Sequence, residues 1–203
     1  MLSVGILIFN EVEVLDFAGP FEVFGISHDR HRQKLFKVFT VAEHAQIQAR
    51  NGLLVQANYS FEQHPQIDVL VIPGGYGAEV TELHNPVLKA WVDQVHRQAI
   101  VTLSVCTGIF ILAELGLLDG LEATTHWMDL QRLAEEYPKI TVLQQVRYVE
   151  QGKIISSAGI ASGIHASLYV VALLSELEFA ENTAKRMEFD WAPASKLPLN
   201  YSI

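Results

Sequence analysis

Residues 104–108 of the sequence have the composition of a nucleophile elbow around Cys106, the only cysteine of the chain. They read Ser-Val-Cys-Thr-Gly, between a β-rich run at 100–103 and a helical run at 109–115. Small flanking residues are needed because the central residue of an elbow takes a strained backbone conformation. A helix N-terminus favours the thiolate, so we expect Cys106 to be more acidic than a free thiol. The alternative is a buried, inert cysteine.

A glycine pair, Gly74 and Gly75, follows the apolar run at 68–72. Their backbone N–H groups, together with that of Thr107, are expected to stabilise an anion that forms beside the sulfur. The alternative is that the glycines only turn the chain. The pair is not part of a G-x-G-x-x-G fingerprint, so we predict no dinucleotide site and no cofactor.

Three further side chains are candidates for proton transfer. Asp16 lies between apolar residues at a predicted helix start, where it is either a helix N-cap or a functional acid. His126 and His165 are possible bases, although each also fits a helix start or a core position. No set of histidines and acids has the spacing of metal ligands, so we predict no metal.

The order of sequence signals is typical of an α/β fold with parallel strands and helical crossovers. Strands are predicted at 3–9, 36–41, 68–72 and 100–103, helices at 17–26, 85–98, 109–115, 162–177 and 182–189, hairpins at 46–57 and 141–157, and a Pro-containing tail after 189. Ser162 is the predicted cap of its helix. Sites of open α/β sheets lie beyond the carboxyl ends of the strands. We therefore expect the site to be formed by the loops at 10–16, 73–77, 104–108 and 124–127.

The composition restricts the classes of protein that are possible. The 203 residues predict one domain, of which 50% is hydrophobic and 18% is charged. The net charge of −9 and the lack of a basic run argue against nucleic-acid binding. A single cysteine and the absence of a signal-peptide pattern predict a cytoplasmic location. Glycines interrupt the apolar stretch at 99–118, so we interpret it as a buried strand and helix rather than a membrane span.

Six segments together resemble the ThiJ/PfpI superfamily of class I glutamine amidotransferase-like proteins, over almost the whole chain. They are residues 15–20 (LDFAGP), 72–75 (IPGG), 104–108 (SVCTG), 117–120 (LLDG), 123–127 (ATTHW) and 157–164 (SAGIASGI). The resemblance implies a flavodoxin-like three-layer sandwich with a mostly parallel central sheet. It is strongest to the branch that contains isocyanide hydratase and the amidotransferase-like sensor domains of AraC-type regulators.

The resemblance assigns the family's acid, cysteine and oxyanion-type glycine to Asp16, Cys106 and Gly75. It implies hydration of an isocyanide to an N-substituted formamide, in which the thiolate attacks the isocyanide carbon and the aspartate moves protons. Thr107 stands where the protease-like branch has histidine, which argues against protease activity. His165 stands where the hydratase-like branch usually has an acid.

Two other functions remain open at this stage. One is a ligand-sensing or redox-sensing module without turnover, although the absence of a helix-turn-helix segment in these 203 residues favours an enzyme. The other is a glyoxalase or repair activity, which the same cysteine and acid could serve. The expected partners are a small-molecule substrate and a second copy of the chain. The homodimer prediction rests on the resemblance and on aromatic residues near the first helix that look exposed, namely Phe17, Phe21 and Phe24.

Overall fold

Strands and helices alternate along the chain, as predicted for an α/β protein. The computed structural model describes residues 1–192. Its strands are β1 (Leu2–Leu7), β2 (Phe36–Ala42), β3 (Gln46–Gln48), β4 (Leu54–Gln56), β5 (Tyr59–Ser60), β6 (Val69–Ile72), β7 (Val101–Val105), β8 (Glu122–Ala123), β9 (Thr141–Val142), β10 (Tyr148–Gln151) and β11 (Ile154–Ser157). Its α-helices are α1 (Val14–Ile26), α2 (Pro86–Gln98), α3 (Ile109–Glu114), α4 (Leu130–Glu136), α5 (Ser162–Leu174) and α6 (Leu177–Arg186).

Seven strands form the central sheet, in the order β10-β11-β7-β6-β1-β2-β5. All neighbouring pairs are parallel except β10 and β11 at one edge. Every residue of β6 and β7 is buried, as expected for strands that are covered on both faces. This buried position explains why these two strands are continuous apolar runs in the sequence.

Helices cover the sheet on both faces. The crossover from β1 to β2 moves along the sheet in the opposite direction to the crossover from β6 to β7. Because both crossovers are expected to be right-handed, α1 and α2 lie on opposite faces. Helices α5 and α6 pack with α1 in one layer. The predicted flavodoxin-like three-layer sandwich is therefore confirmed, and its strand order reverses at β1, where the loops after β1, β6 and β7 meet.

Local sequence signals account for several element boundaries. Asn85 caps α2, since its Oδ1 accepts hydrogen bonds from the backbone N–H groups of Val87 at 3.0 Å and Leu88 at 3.2 Å. The turn between β3 and β4 uses Asn51 and Gly52, both with positive φ, which confirms the predicted hairpin. Residues 99–118 divide between β7 and α3, and no helix within residues 1–192 is long and apolar enough to cross a membrane.

Four predictions about the elements are wrong in detail. Ser162 is the first residue of α5 and does not cap it. The helix predicted at 162–177 ends at Leu174, because Ser175 leaves the helical conformation at φ −140° and ψ −116°. The helix predicted at 182–189 begins earlier, at Leu177. An apolar helix that is buried on most sides shows no periodicity from which its end can be read. Within 141–157, only β10 and β11 form the hairpin, while β9 pairs with β8. The predicted Pro-containing tail from 193 onward lies outside the described residues.

The aromatic residues of α1 do not form the exposed cluster that was predicted. Phe17 and Phe24 are buried in the core, whereas Phe21 is 39% exposed. The Phe24 ring packs edge-to-face against Phe36 of β2, with ring centroids 5.1 Å apart. On this helix, Leu15 is as exposed as Phe21.

Lys153 joins the turn between β10 and β11 to the end of α2. Its ammonium group donates hydrogen bonds to the carbonyl oxygens of His96, Arg97 and Ala99, which no helical N–H satisfies. We expect Lys153→Met to lower the free energy of unfolding by about 1–2 kcal/mol, measured by urea denaturation. The matched control is Lys139→Met, which removes only an exposed ion pair with Asp119 and should have a much smaller effect. Equal losses in the two variants would contradict this account of Lys153.

Candidate active site

Cys106 lies at the tight turn between β7 and α3, in the strained conformation that the elbow pattern predicts. Its φ is 56°, in the left-handed region that residues other than glycine rarely adopt. The side chain is 6% exposed. A Cβ atom on Gly108 would collide with the carbonyl oxygen of Ile72 and lie 2.7 Å from that of Pro73. The elbow therefore needs glycine two positions after the cysteine.

Asp16 is completely buried in the first turn of α1. It is not the N-cap, a position held by Glu13, so the capping alternative is wrong. Its Oδ2 accepts a hydrogen bond from the backbone N–H of Gly74 at 3.0 Å, while Oδ1 has no hydrogen-bond partner among residues 1–192. Burial raises the pKa of this carboxyl to about 7, although the Gly74 N–H and the side chain of Cys106 lower it.

The surroundings of Cys106 raise the pKa of its thiol above the usual value for cysteine. Burial raises its pKa most strongly, and the nearby charge of Asp16 raises it further. The backbone N–H groups of Thr107 and Ile160 interact with the side chain and lower the pKa, but they do not outweigh the burial. The expectation of a thiol more acidic than a free cysteine is therefore wrong. Two neighbouring anions disfavour each other, so Asp16 and Cys106 titrate as a pair in which the carboxylate can take up the thiol proton near neutral pH.

Gly74 and Gly75 bring the loop after β6 against the other two loops of the site. A Cβ on Gly74 would lie 2.5 Å from the backbone nitrogen of Thr107 and 3.0 Å from Asp16 Oδ2. Gly75 has a φ of 113°, and its backbone N–H donates to Thr107 Oγ1 at 2.9 Å. The oxyanion role of these glycines stays a prediction, since the Gly75 N–H is taken by the threonine hydroxyl in this structure.

Ile160 is the part of the site that the sequence reasoning missed. Its backbone N–H approaches the Cys106 sulfur, and its φ of 43° is unusual for a β-branched residue. In the sequence, residues 157–164 are indicated only as a family motif, because no local pattern shows that an isoleucine adopts this conformation. Backbone bonds hold the segment in place, since the N–H of Cys106 donates to the carbonyl oxygen of Ala158 at 3.2 Å.

His126 lies close to this pair, whereas His165 has different neighbours. The Nδ1 atom of His126 is 3.7 Å from Asp129 Oδ2, and the charge of His126 is among the influences that lower the pKa of Asp16. His165 is buried on α5, where Arg147 donates to its Nε2. Burial and the Arg147 charge lower the pKa of His165 to about 4, so it is neutral at physiological pH.

Two other features lie apart from the cysteine. A cavity of about 690 Å³ is found at the far end of α1, where its lining includes Arg30, Arg32 and Arg186 but neither Asp16 nor Cys106. In the part of the chain that the structure describes, no group of three or more His, Cys, Asp or Glu side chains is arranged to hold a metal ion.

The model of the DJ-1/PfpI family matches residues 2–173, a range that includes the nucleophile elbow and the buried acid. The chain belongs to the DJ-1/PfpI family. It is 30% identical to the isonitrile hydratase of Pseudomonas putida over 192 residues, which cover 95% of this chain and 80% of that enzyme.

Other relatives include regulators as well as family members without a stated activity. The HTH-type transcriptional regulator GbdR of Pseudomonas aeruginosa is 26% identical over 162 residues, which cover 78% of this chain but only 43% of the regulator. A solved structure of a ThiJ/PfpI family protein from Pseudomonas syringae is 27% identical with a TM-score of 0.83. The match covers 100% of this chain and 79% of that one.

The charge of Asp16 should control the titration of Cys106. We expect the alkylation rate of the wild-type thiol to rise with an inflection above about 8.5, the pKa of a free thiol. Asp16→Asn removes the neighbouring negative charge, so its inflection should lie at lower pH than that of the wild type. The measurement is the iodoacetamide reaction rate as a function of pH, with Asp119→Asn as an exposed control. A wild-type inflection below 8.5 would show that burial does not dominate this thiol.

Proposed function

We propose that the protein hydrates isocyanides, converting R–N≡C and water into an N-substituted formamide. The observation that carries this proposal is the buried pair of Asp16 and Cys106, in which a carboxyl with a pKa of about 7 lies beside the only thiol. Such a carboxyl is suited to accept and return protons near neutral pH. The similarity to the isonitrile hydratase over most of both chains supports the choice of substrate.

In the first half of the reaction, the thiol proton moves to Asp16 as the Cys106 sulfur forms a bond to the terminal isocyanide carbon. The aspartic acid then returns this proton to the same carbon. The product is a covalent thioimidate, R–N=CH–S–Cys, which contains all the atoms of the isocyanide and the thiol. Transfer to Asp16 makes a low thiol pKa unnecessary, because the thiolate need exist only while the substrate is attacked.

In the second half, Asp16 takes a proton from water as the water oxygen bonds to the thioimidate carbon, and it passes this proton to the nitrogen, which gives R–NH–CH(OH)–S–Cys. The carbon–sulfur bond then breaks as Asp16 takes the hydroxyl proton and delivers it to the sulfur, which releases R–NH–CHO and restores the thiol. Negative charge develops on the sulfur as it leaves, and the backbone N–H groups of Thr107 and Ile160, which interact with this side chain, support the proposal that they stabilise it. The Thr107 hydroxyl holds the Gly75 N–H and keeps the surrounding loop in place.

The test is formamide production from a panel of isocyanides by purified variants. Cys106→Ala should abolish turnover because the covalent path is lost, and Asp16→Asn should reduce it about a hundredfold to ten-thousandfold. His165→Asp should retain activity or increase it, since an acid beside Arg147 restores the residue that is more usual in the hydratase-like branch. Formation of formamide by Cys106→Ala at the wild-type rate would refute the nucleophile assignment.

A sensing domain is the second candidate function, favoured by the similarity to the regulator GbdR. The chain spans less than half the length of that regulator, so a role of this kind would correspond to only part of such a protein. In this case the wild type would convert no isocyanide, and a metabolite would bind tightly to the wild type but not to Cys106→Ala. The net charge of −9 supports the proposal that the chain described here does not itself bind nucleic acid.

We also propose that the protein is a cytoplasmic homodimer. The exposed Leu15 and Phe21 on α1 offer apolar surface that a second copy would cover, whereas Phe17 and Phe24 are buried and do not contribute to it. Sedimentation equilibrium at micromolar concentration should give twice the mass of one chain. A monomer mass would exclude the dimer, and Phe21→Glu should weaken the association if this helix forms the interface.

A further inference from the structure

A pocket of about 360 Å³ adjoins the segment that holds the Cys106 sulfur. Its walls include Trp127, Leu130, Gln144, Gln145, Val146 and Ile160. This volume is sufficient for a small ring system, since ligand pockets measure about 300–1,000 Å³. Trp127 is 53% exposed, so a large aromatic surface is available to a ligand.

The pocket shares residues with the surroundings of the nucleophile. Thr125 lines the pocket and donates its hydroxyl to the carbonyl oxygen of Cys106 at 2.8 Å. Ala158 also lines it and accepts a hydrogen bond from the Cys106 N–H. Ile160 belongs to the wall and provides a backbone N–H beside the sulfur. Cys106 and Asp16 do not themselves line the pocket, and Ile160 is the wall residue that connects it with the sulfur.

The polarity of the walls selects an uncharged ligand. Among the described residues that line the pocket, none is Asp, Glu, Lys or Arg, and the one titratable side chain is that of His126, whose Nδ1 lies 3.7 Å from Asp129 Oδ2. The amide of Gln131 is engaged by Glu135 at 2.7 Å, whereas no hydrogen bond within residues 1–192 occupies the side-chain amides of Gln144 and Gln145. Two free amides can accept and donate hydrogen bonds to a neutral polar group, but they offer no counter-charge to an ion.

Backbone strain in the walls is a second observation that points to a ligand. Gln145 has a φ of 57° and Ile160 a φ of 43°, and both residues line the pocket. Residues other than glycine occupy this region at an energetic cost, and such residues concentrate at ligand clamps and active sites. The same pocket thus has two strained residues in its wall and unoccupied amides.

We propose that this pocket binds the uncharged aromatic or branched apolar N-substituent of the substrate, next to the isocyanide carbon at Cys106. The inference rests on the proposed hydratase function and names its substrate class. The ring of Trp127 and the side chains of Leu130 and Val146 provide the apolar contacts, and the amides of Gln144 and Gln145 orient a neutral polar group. Small isocyanides and those with a charged substituent are correspondingly poor substrates.

The first test compares benzyl isocyanide with methyl isocyanide. Trp127→Ala should raise KM for benzyl isocyanide about tenfold, because an aromatic contact is lost, and change KM for methyl isocyanide much less. Met128→Ala is the matched control, since this neighbouring residue is 67% exposed and does not line the pocket. Equal effects of Trp127→Ala on both substrates would overturn the inference and leave the hydratase function intact.

The second test measures binding without turnover. N-benzylformamide should bind to the wild type in a calorimetric titration about tenfold more tightly than to Trp127→Ala. Hippurate, an anion, and benzyltrimethylammonium, a cation, should both bind more weakly than the formamide. Binding that is independent of Trp127, or stronger for either ion, would refute the pocket. Binding that depends on Trp127 in a protein that hydrates no isocyanide would support the pocket and refute the hydratase function.

Discussion

The close approach of the loops that follow β6 and β7 is the constraint on which the site depends. Cys106 has a left-handed conformation, and the same turn brings Gly108 so close to the carbonyl oxygens of Ile72 and Pro73 that no Cβ fits there. Such a conformation costs about 1–3 kcal/mol, which the surrounding structure must offset. The buried parallel pairing of β6 with β7 provides this support, since it fixes both carboxyl ends before the loops begin.

The buried carboxyl of Asp16 lowers the stability of the fold near neutral pH, which is the pH range in which its proposed proton transfer takes place. Its pKa is raised from 3.8 to about 7 in the folded protein. The folded state therefore holds a proton that the unfolded state releases between these values, and the stability of the fold declines as the pH rises from about 4 to 7. A carboxylate that is poorly solvated near neutral pH is a better proton acceptor for the Cys106 thiol, so the instability serves the chemistry.

The chemistry and the recognition of a ligand use separate parts of the chain. The proposed reacting groups come from α1 and from the loops after β6 and β7, whereas residues 124–127, 130–131, 144–146 and 158–162 supply the walls of the neighbouring pocket. Thr125, Ala158 and Ile160 belong to the walls and also contact Cys106. Changes in the proposed pocket would therefore alter the ligand without disturbing the nucleophile, which fits the similarity of this chain both to an isonitrile hydratase and to part of an HTH-type transcriptional regulator.

The sequence by itself determined the alternation of strands and helices, the start of α2 at Asn85 and the elbow at Cys106, because each depends on residues close together in the chain. It also indicated Asp16, although only the tertiary structure decided between a helix cap and a buried acid. Tertiary structure likewise decided that the thiol is not acidic, that Ile160 approaches the sulfur and that His165 pairs with Arg147. Burial and through-space charge depend on segments that are distant in sequence, and no local pattern reports where those segments meet.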